Sequence, residues 1–193
     1  MVPIKQIFAA YNHNENQDTK EYKFCPFCRT TLILQESGNR QRPTCPNCGF
    51  IHYKNPAPAV CILVVEGDKV LMGKRISNVG GGRWALPSGY IEYDDDFITA
   101  AIQEVKEETG LEVKIQSIVN VDSAFLSPQY HFLTIYLLAC VVGGELCAGD
   151  DFEEAAWFPL TGPLPEMSFR QDPELVRAYA QGELVGVPIN LKD

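Results

Sequence analysis

From residue 57 onward, apolar runs alternate with short polar breaks. Ala59 to Val65 and Lys69 to Arg75 are near-continuous apolar segments on either side of Glu66-Gly67-Asp68, which predicts a β-hairpin. Glu112 to Phe125 and Phe132 to Val142 read as two longer strands separated by Leu126-Ser127-Pro128-Gln129-Tyr130, and Ala155 to Phe158 as a short one. Before these longer strands the apolar pattern takes the period of a helix. Phe97, Ile98, Ala101, Ile102 and Val105 recur at three- and four-residue steps, the aspartates at 94 to 96 offer N-caps, and Gly110 suits a left-handed C-terminal position. A second helix is predicted at Pro173 to Ala180, with proline in its first turn. Strands outnumber helices, and the two helices stand far apart in sequence. The pattern is consistent with an α/β fold in which a mixed sheet lies between helices.

The first helix carries an arrangement that is poor for stability. Glu104, Glu107 and Glu108 stand at i, i+3 and i+4, so three carboxylates share one face near the negative end of the helix dipole. Like charges at this spacing cost about 0.2–0.5 kcal/mol per pair. A hard divalent cation such as Mg²⁺ would compensate them, because it takes oxygen ligands and leaves room for waters and substrate phosphates. The alternative is a solvated acidic face.

The residues around that helix resemble the Nudix hydrolase box, in which G, five residues, E and seven residues precede R-E-apolar-x-E-E-x-G-apolar. The chain supplies Gly89, then Asp95, then Gln103-Glu104-Val105-Lys106-Glu107-Glu108-Thr109-Gly110-Leu111. Asp95 and Gln103 depart from the family's Glu and Arg. The lead-in Gly82-Arg83-Trp84-Ala85-Leu86-Pro87-Ser88-Gly89 is similar to the family's G-x-W-x-L-P-G-G, with Ser88 in place of a glycine. The resemblance covers about residues 57 to 182 and implies an α/β/α sandwich. It further implies a catalytic site in which Glu104, Glu107 and Glu108, with the Gly89 or Ser88 carbonyl, hold Mg²⁺ or Mn²⁺. Gln103 and Asp95 would hold Glu104 less firmly than the family's Arg and Glu.

Seven cysteines stand at 25, 28, 45, 48, 61, 140 and 147. Cys25-Pro-Phe-Cys28 and Cys45-Pro-Asn-Cys48 have the spacing of a four-thiolate zinc site, so a structural Zn²⁺ ribbon is expected over residues 21–54. Thr30 to Gln35 would form one of its strands, with Gly38 and Asn39 at the tip. Cys61 and Cys140 lie in apolar strands and read as buried small hydrophobes. Residues 1–20 form an N-terminal extension with an amphipathic turn at Ile4 to Tyr11. Asn55-Pro56-Ala57-Pro58 reads as a linker, 57–182 as the main domain and 183–193 as a C-terminal tail.

Composition narrows the class. With 46% apolar and 21% charged residues the chain reads as an ordinary soluble globular protein. A formal charge of −9 argues against a general nucleic-acid binder, although the ribbon carries a local basic excess. The absence of a secretory signal and of a bilayer-length apolar run points to the cytoplasm and away from membranes. A homodimer is the expected assembly.

The zinc ribbon before the box is similar to two groups within the family: the compact FAD and ADP-ribose pyrophosphatases and, more distantly, the NADH pyrophosphatases. The resemblance implies hydrolysis of the pyrophosphate bond in a nucleoside diphosphate linked to another group, ADP-ribose or FAD first, releasing AMP. NADH pyrophosphatase-like activity and a non-catalytic nucleotide sensor are the alternatives. Lys74, Arg75 and Arg83 are candidate phosphate contacts; Glu153 and Glu154 are similar to the family's downstream acidic position; Tyr130, Phe132 and Phe169 are candidates to stack on a base.

Overall fold

The computed structural model describes residues 22–76, 81–127 and 130–189. The N-terminal extension, with its expected turn at Ile4 to Tyr11, lies outside the described residues, as does most of the glycine-rich loop at 77–80.

The ribbon is a hairpin of β1 (Ile33–Ser37) and β2 (Arg40–Thr44), paired antiparallel from Ile33↔Thr44 to Ser37↔Arg40. The first strand begins at Ile33 rather than Thr30, because the backbone from Cys25 to Thr30 is folded into a metal-type knuckle. There, Arg29 takes a left-handed conformation (φ 61°) and its N–H donates to the Cys25 carbonyl.

The larger unit contains β3 (Ala57–Glu66), β4 (Lys69–Arg75), β5 (Trp84–Ala85), β6 (Ser88–Tyr90), α1 (Phe97–Thr109), β7 (Leu111–Ser127), β8 (Tyr130–Gly144), β9 (Phe152–Pro159), α2 (Asp172–Ala180) and β10 (Val187–Pro188). Its strand order is β10-β7-β8-β3-β4-β5, with β6 also on β3 and β9 also on β4. β3 and β8 run parallel from Ala57↔Phe132 to Val64↔Ala139, whereas the other strand pairs among the described residues are antiparallel. The sheet is therefore mixed. β3 begins inside the expected linker, and Pro58 sits near its start, where a missing N–H is tolerated.

The near-continuous apolar character of β3 follows from burial on both faces. Val60, Ile62 and Val64 pack with Ala101 and Val105 of α1, while Cys61 and Leu63 pack with Leu175 and Val176 of α2. Each face thus has its own core and its own helix, which makes the layers α/β/α. On α1, Ile102 was expected in the apolar stripe; it lies at the rim, 37% exposed, and Ala100 is buried instead. Cys61 is buried as expected, but Cys140 is only half-buried. The chain after α2 continues into the fold: Leu184 is buried in the α2-side core, and Val187 and Pro188 pair with Ile118 and Ser117 of β7. No helix among the described residues is long and apolar enough to cross a membrane.

Candidate active site and zinc centre

The box loop is fixed from two sides before any chemistry is considered. The Ile62 N–H donates to the Pro87 carbonyl (2.8 Å), and Ser88, Gly89 and Tyr90 pair with Cys61, Val60 and Ala59. From the opposite helix, Asp172 Oδ2 accepts the Leu86 N–H at 3.2 Å. α1 then lies against β6. Of the three candidate caps Asp96 is the one used: Oδ1 accepts the N–H groups of Ile98 (2.8 Å) and Thr99 (3.0 Å), and these bonds hold its carboxyl below the usual carboxylate range. Gly110 closes the helix in the left-handed conformation (φ 72°), donating to the Lys106 carbonyl.

This placement aims two of the three box glutamates at the loop. Glu108 Oε2 accepts the Ser88 N–H at 3.1 Å and is buried. Burial pushes its pKa up to about 9, against the opposing pull of that hydrogen bond. One turn earlier, Glu104 packs directly on the α-carbon of Gly89: a methyl group there would meet Glu104 Oε1 at 1.8 Å. The close approach requires a glycine at this position. Glu104 is raised to about 7, first by burial and then by the charges of Glu107, Asp150 and Asp151. Glu107 is exposed on the same helix, Asp95 is half-buried and Gln103 is exposed.

Glu104, Glu108 and Gly89 line a cavity of about 350 Å³, with Glu92, Asp150, Asp151 and Asp172 as further acids. Arg75 is the one Lys or Arg among the described residues lining it. It is buried, bonded through Nη2 to Asp151 Oδ2 at 2.8 Å, and lies over the Phe169 ring with 5.6 Å to the centroid. Tyr90 and Phe132, 5.5 Å apart and tilted, line the aromatic part of the cavity. Asp172, buried in the α2 end of the site, is raised to about 7 by loss of solvent. Several carboxylates around one cavity supply oxygen donors of the kind a hard cation takes.

Three predicted contacts lie elsewhere. Arg83 is exposed and paired with Glu166 at 2.8 Å; Glu154 is exposed opposite Lys74; Tyr130 is 58% exposed at the start of β8. None of the three lines the cavity. The downstream acids that do so are Asp150 and Asp151, a few residues before the expected Glu153 and Glu154. Their loop is tied to the end of α1, with the Cys147 N–H on the Thr109 carbonyl (2.9 Å) and the Gly149 N–H on the Glu108 carbonyl (3.0 Å). Lys74 bonds Glu153 at 2.8 Å.

In the ribbon the four predicted cysteines meet. Their sulfurs all lie within 4.8 Å of one another, with Cys25–Cys48 at 3.5 Å, Cys28–Cys45 at 3.4 Å and Cys28–Cys48 at 3.7 Å. A tetrahedron with Zn–S bonds of about 2.3 Å has edges near 3.8 Å, so the cluster has the size of a structural zinc site. Two matching knuckles build it: Arg29 and Gly49 each donate back to the first cysteine's carbonyl and each has positive φ. It is the one such tight group of metal-type side chains among the described residues. Of the box carboxylates, Glu104 and Glu108 line one cavity without closing to that distance, and Glu107 is not among its lining residues.

A family model described as NUDIX domain matches residues 55–179, and one described as Nudix N-terminal, a zinc ribbon, matches 23–54. An ADP-ribose pyrophosphatase of Methanocaldococcus jannaschii is 38% identical over 128 residues, 66% of this chain and 75% of that protein. The NAD-capped RNA hydrolase NudC of Pseudomonas aeruginosa is 31% identical over 146 residues, 74% of this chain; the match spans about half of NudC's own length, 50%. Among solved structures, a NUDIX hydrolase from Nitrosomonas europaea superposes with a TM-score of 0.74 at 27% identity, covering 83% of this chain and 91% of that one. With its box folded around one acidic cavity and a four-cysteine ribbon ahead of it, the chain belongs to the Nudix hydrolase family.

Proposed function

We propose that the chain hydrolyses the pyrophosphate bond of a nucleoside diphosphate linked to a second group, ADP-ribose or FAD first, releasing AMP. The observation that carries this reading is the composition of the cavity at the box: acids at the box end, one arginine, and an aromatic section of Tyr90, Phe132 and Phe169. A dinucleotide-like substrate needs all three. Glu104, Glu107, Glu108 and the Gly89 carbonyl would hold Mg²⁺ or Mn²⁺, which when bound neutralises pyrophosphate oxygens and lowers the pKa of a coordinated water. Arg75 supplies a planar fork for phosphate oxygens. Glu104 would orient the attacking water and accept its proton. Tyr90 and Phe132 offer ring faces for a base or flavin.

The similarity to NudC proteins, one of which extends over 85% of this chain, favours a second reading in which the second group is nicotinamide nucleotide, free or on an RNA 5′ end. One panel tests both. The protein is incubated with Mg²⁺ or Mn²⁺ and ADP-ribose, FAD, NADH or NAD-capped RNA, and the products are resolved by chromatography. AMP from ADP-ribose or FAD at the highest kcat/KM supports the first reading, and preference for the nicotinamide compounds supports the second. No turnover of any of them by the wild type would refute the hydrolase reading in favour of a sensor.

A further inference from the structure

We propose that one face of the zinc ribbon binds single-stranded nucleic acid, a site separate from the catalytic cavity. On β2, Arg40 and Arg42 are two residues apart and so project to the same side, about 6.7 Å from one another along the strand. That distance is similar to the separation of successive phosphates in an extended strand. Their partners across the hairpin are the uncharged Ser37 and Gln35. The single acidic residue between 22 and 54, Glu36, pairs with Gln41 and so belongs to the other side. In a chain of formal charge −9, this register leaves the Arg40 and Arg42 side of the hairpin without an acid among residues 22–54.

The segment after the second knuckle completes the site. The His52 N–H donates to the Pro43 carbonyl (2.9 Å), which folds residues 52–55 back beside β2. Arg40, Arg42, His52, Tyr53, Lys54 and Asn55 line a concavity of about 240 Å³. The Arg42 guanidinium lies over the Tyr53 ring, 5.0 Å from its centroid, and Tyr53 is 54% exposed. Tyr22 stands edge-on to His52 at 4.4 Å. Cations spaced to follow a phosphate backbone, beside an exposed ring already polarised by arginine, are what a strand with unpaired bases engages. A duplex offers no open base to Tyr53, and a free mononucleotide would use only one of the spaced cations.

The test uses the full zinc-loaded chain and a fluorescein-labelled RNA of about ten nucleotides, a length within known single-strand site sizes. Its 5′ hydroxyl leaves the catalytic site no anhydride, so the result is independent of the hydrolase reading. Anisotropy is followed between about 50 and 200 mM KCl. The wild type is expected to bind at the lowest salt. Arg40→Gln with Arg42→Gln should weaken binding about tenfold and reduce the slope of log K against log salt by about 1.4, at about 0.7 per lost phosphate contact. Tyr53→Ala should weaken it about tenfold with the slope unchanged. Retained zinc and retained turnover show that the variants are folded. The proposal is overturned by unaltered affinity and slope in the double variant or by no wild-type binding at low salt. Equally tight binding of a duplex, or displacement of the strand by equimolar AMP, would also overturn it.

Discussion

Gly89→Ala isolates the role of the contact between the box loop and Glu104. The added methyl would lie 1.8 Å from Glu104 Oε1, 2.0 Å from Cδ and 2.5 Å from Oε2. An ordinary carbon–oxygen contact needs about 3.3 Å, so the carboxylate must retreat by about 1.5 Å. Misplacing a catalytic group by about 1 Å costs roughly a hundredfold in rate, about 2.7 kcal/mol of transition-state stabilisation. Stability should hardly change, because the displaced atoms are the end of a flexible side chain and Gly89 needs no left-handed backbone. Gly73→Ala is the matched control. There the methyl would meet the Phe152 ring at 1.8 Å, and Phe152 is a buried core residue. Overpacking of that kind costs about 1–3 kcal/mol, or roughly 2–10 °C in Tm for a protein of this size. The assay is kcat and KM on the best substrate of the panel, with a thermal melt of each variant. Gly89→Ala should lose turnover at constant Tm, and Gly73→Ala should lose Tm at nearly constant turnover. A Gly89→Ala enzyme within about threefold of wild-type kcat would refute the claim that this contact sets the position of Glu104.

Three further outcomes follow from the geometry. Cys45→Ser should lower bound zinc from about one per chain to near none, measured by atomic emission after gel filtration, because a structural site needs all four ligands. Arg75→Lys keeps the charge but not the fork that meets Asp151, and kcat/KM should fall about tenfold with most of the loss on substrate binding. Asp172 has its folded-state pKa raised by burial to about 7 from 3.8, so the folded state holds the proton more tightly than the unfolded one and stability contributed by the neutral acid is lost as pH rises between about 4 and 7. Asp172→Asn, whose side-chain oxygen can still accept the Leu86 N–H, should show a shallower fall in Tm over that window in magnesium-free buffer; an equal slope would place the titration elsewhere.

The parts of the site that were legible in sequence are those carried by one continuous element. Glu104, Glu107 and Glu108 share a helix, and the helix announces itself by period, cap and terminal glycine. A mixed sheet between helices was legible in the count and spacing of the elements, and the apolar run Val60 to Val64 belongs to a strand covered on both faces. Asp150, Asp151 and Asp172 were not legible. Two come from a loop and one from the first turn of α2, and all reach the cavity through sheet order and loop bonding that no local spacing encodes. Arg83 and Tyr130 show the converse limit: the residue type suits a nucleotide, but the backbone places each away from the cavity. On the ribbon, residue counting found the basic excess, whereas its confinement to one face depends on the pairing of β1 with β2.

The parallel pairing of β3 with β8 has a consequence for how the molecule assembles. β7 and β8 are neighbours in sequence and can zip as a hairpin, but β3 and β8 are separated in sequence by β4, β5, β6, α1 and β7. Contacts of such long range carry the largest loop-closure entropy and form slowly. Ala59 and Cys61 of β3 face Thr134 and Tyr136 of β8 across that seam, and all four line the cavity. The box glutamates therefore share one local helix, while the chamber that Glu104 and Glu108 line comes into existence only when strands far apart in the sequence close.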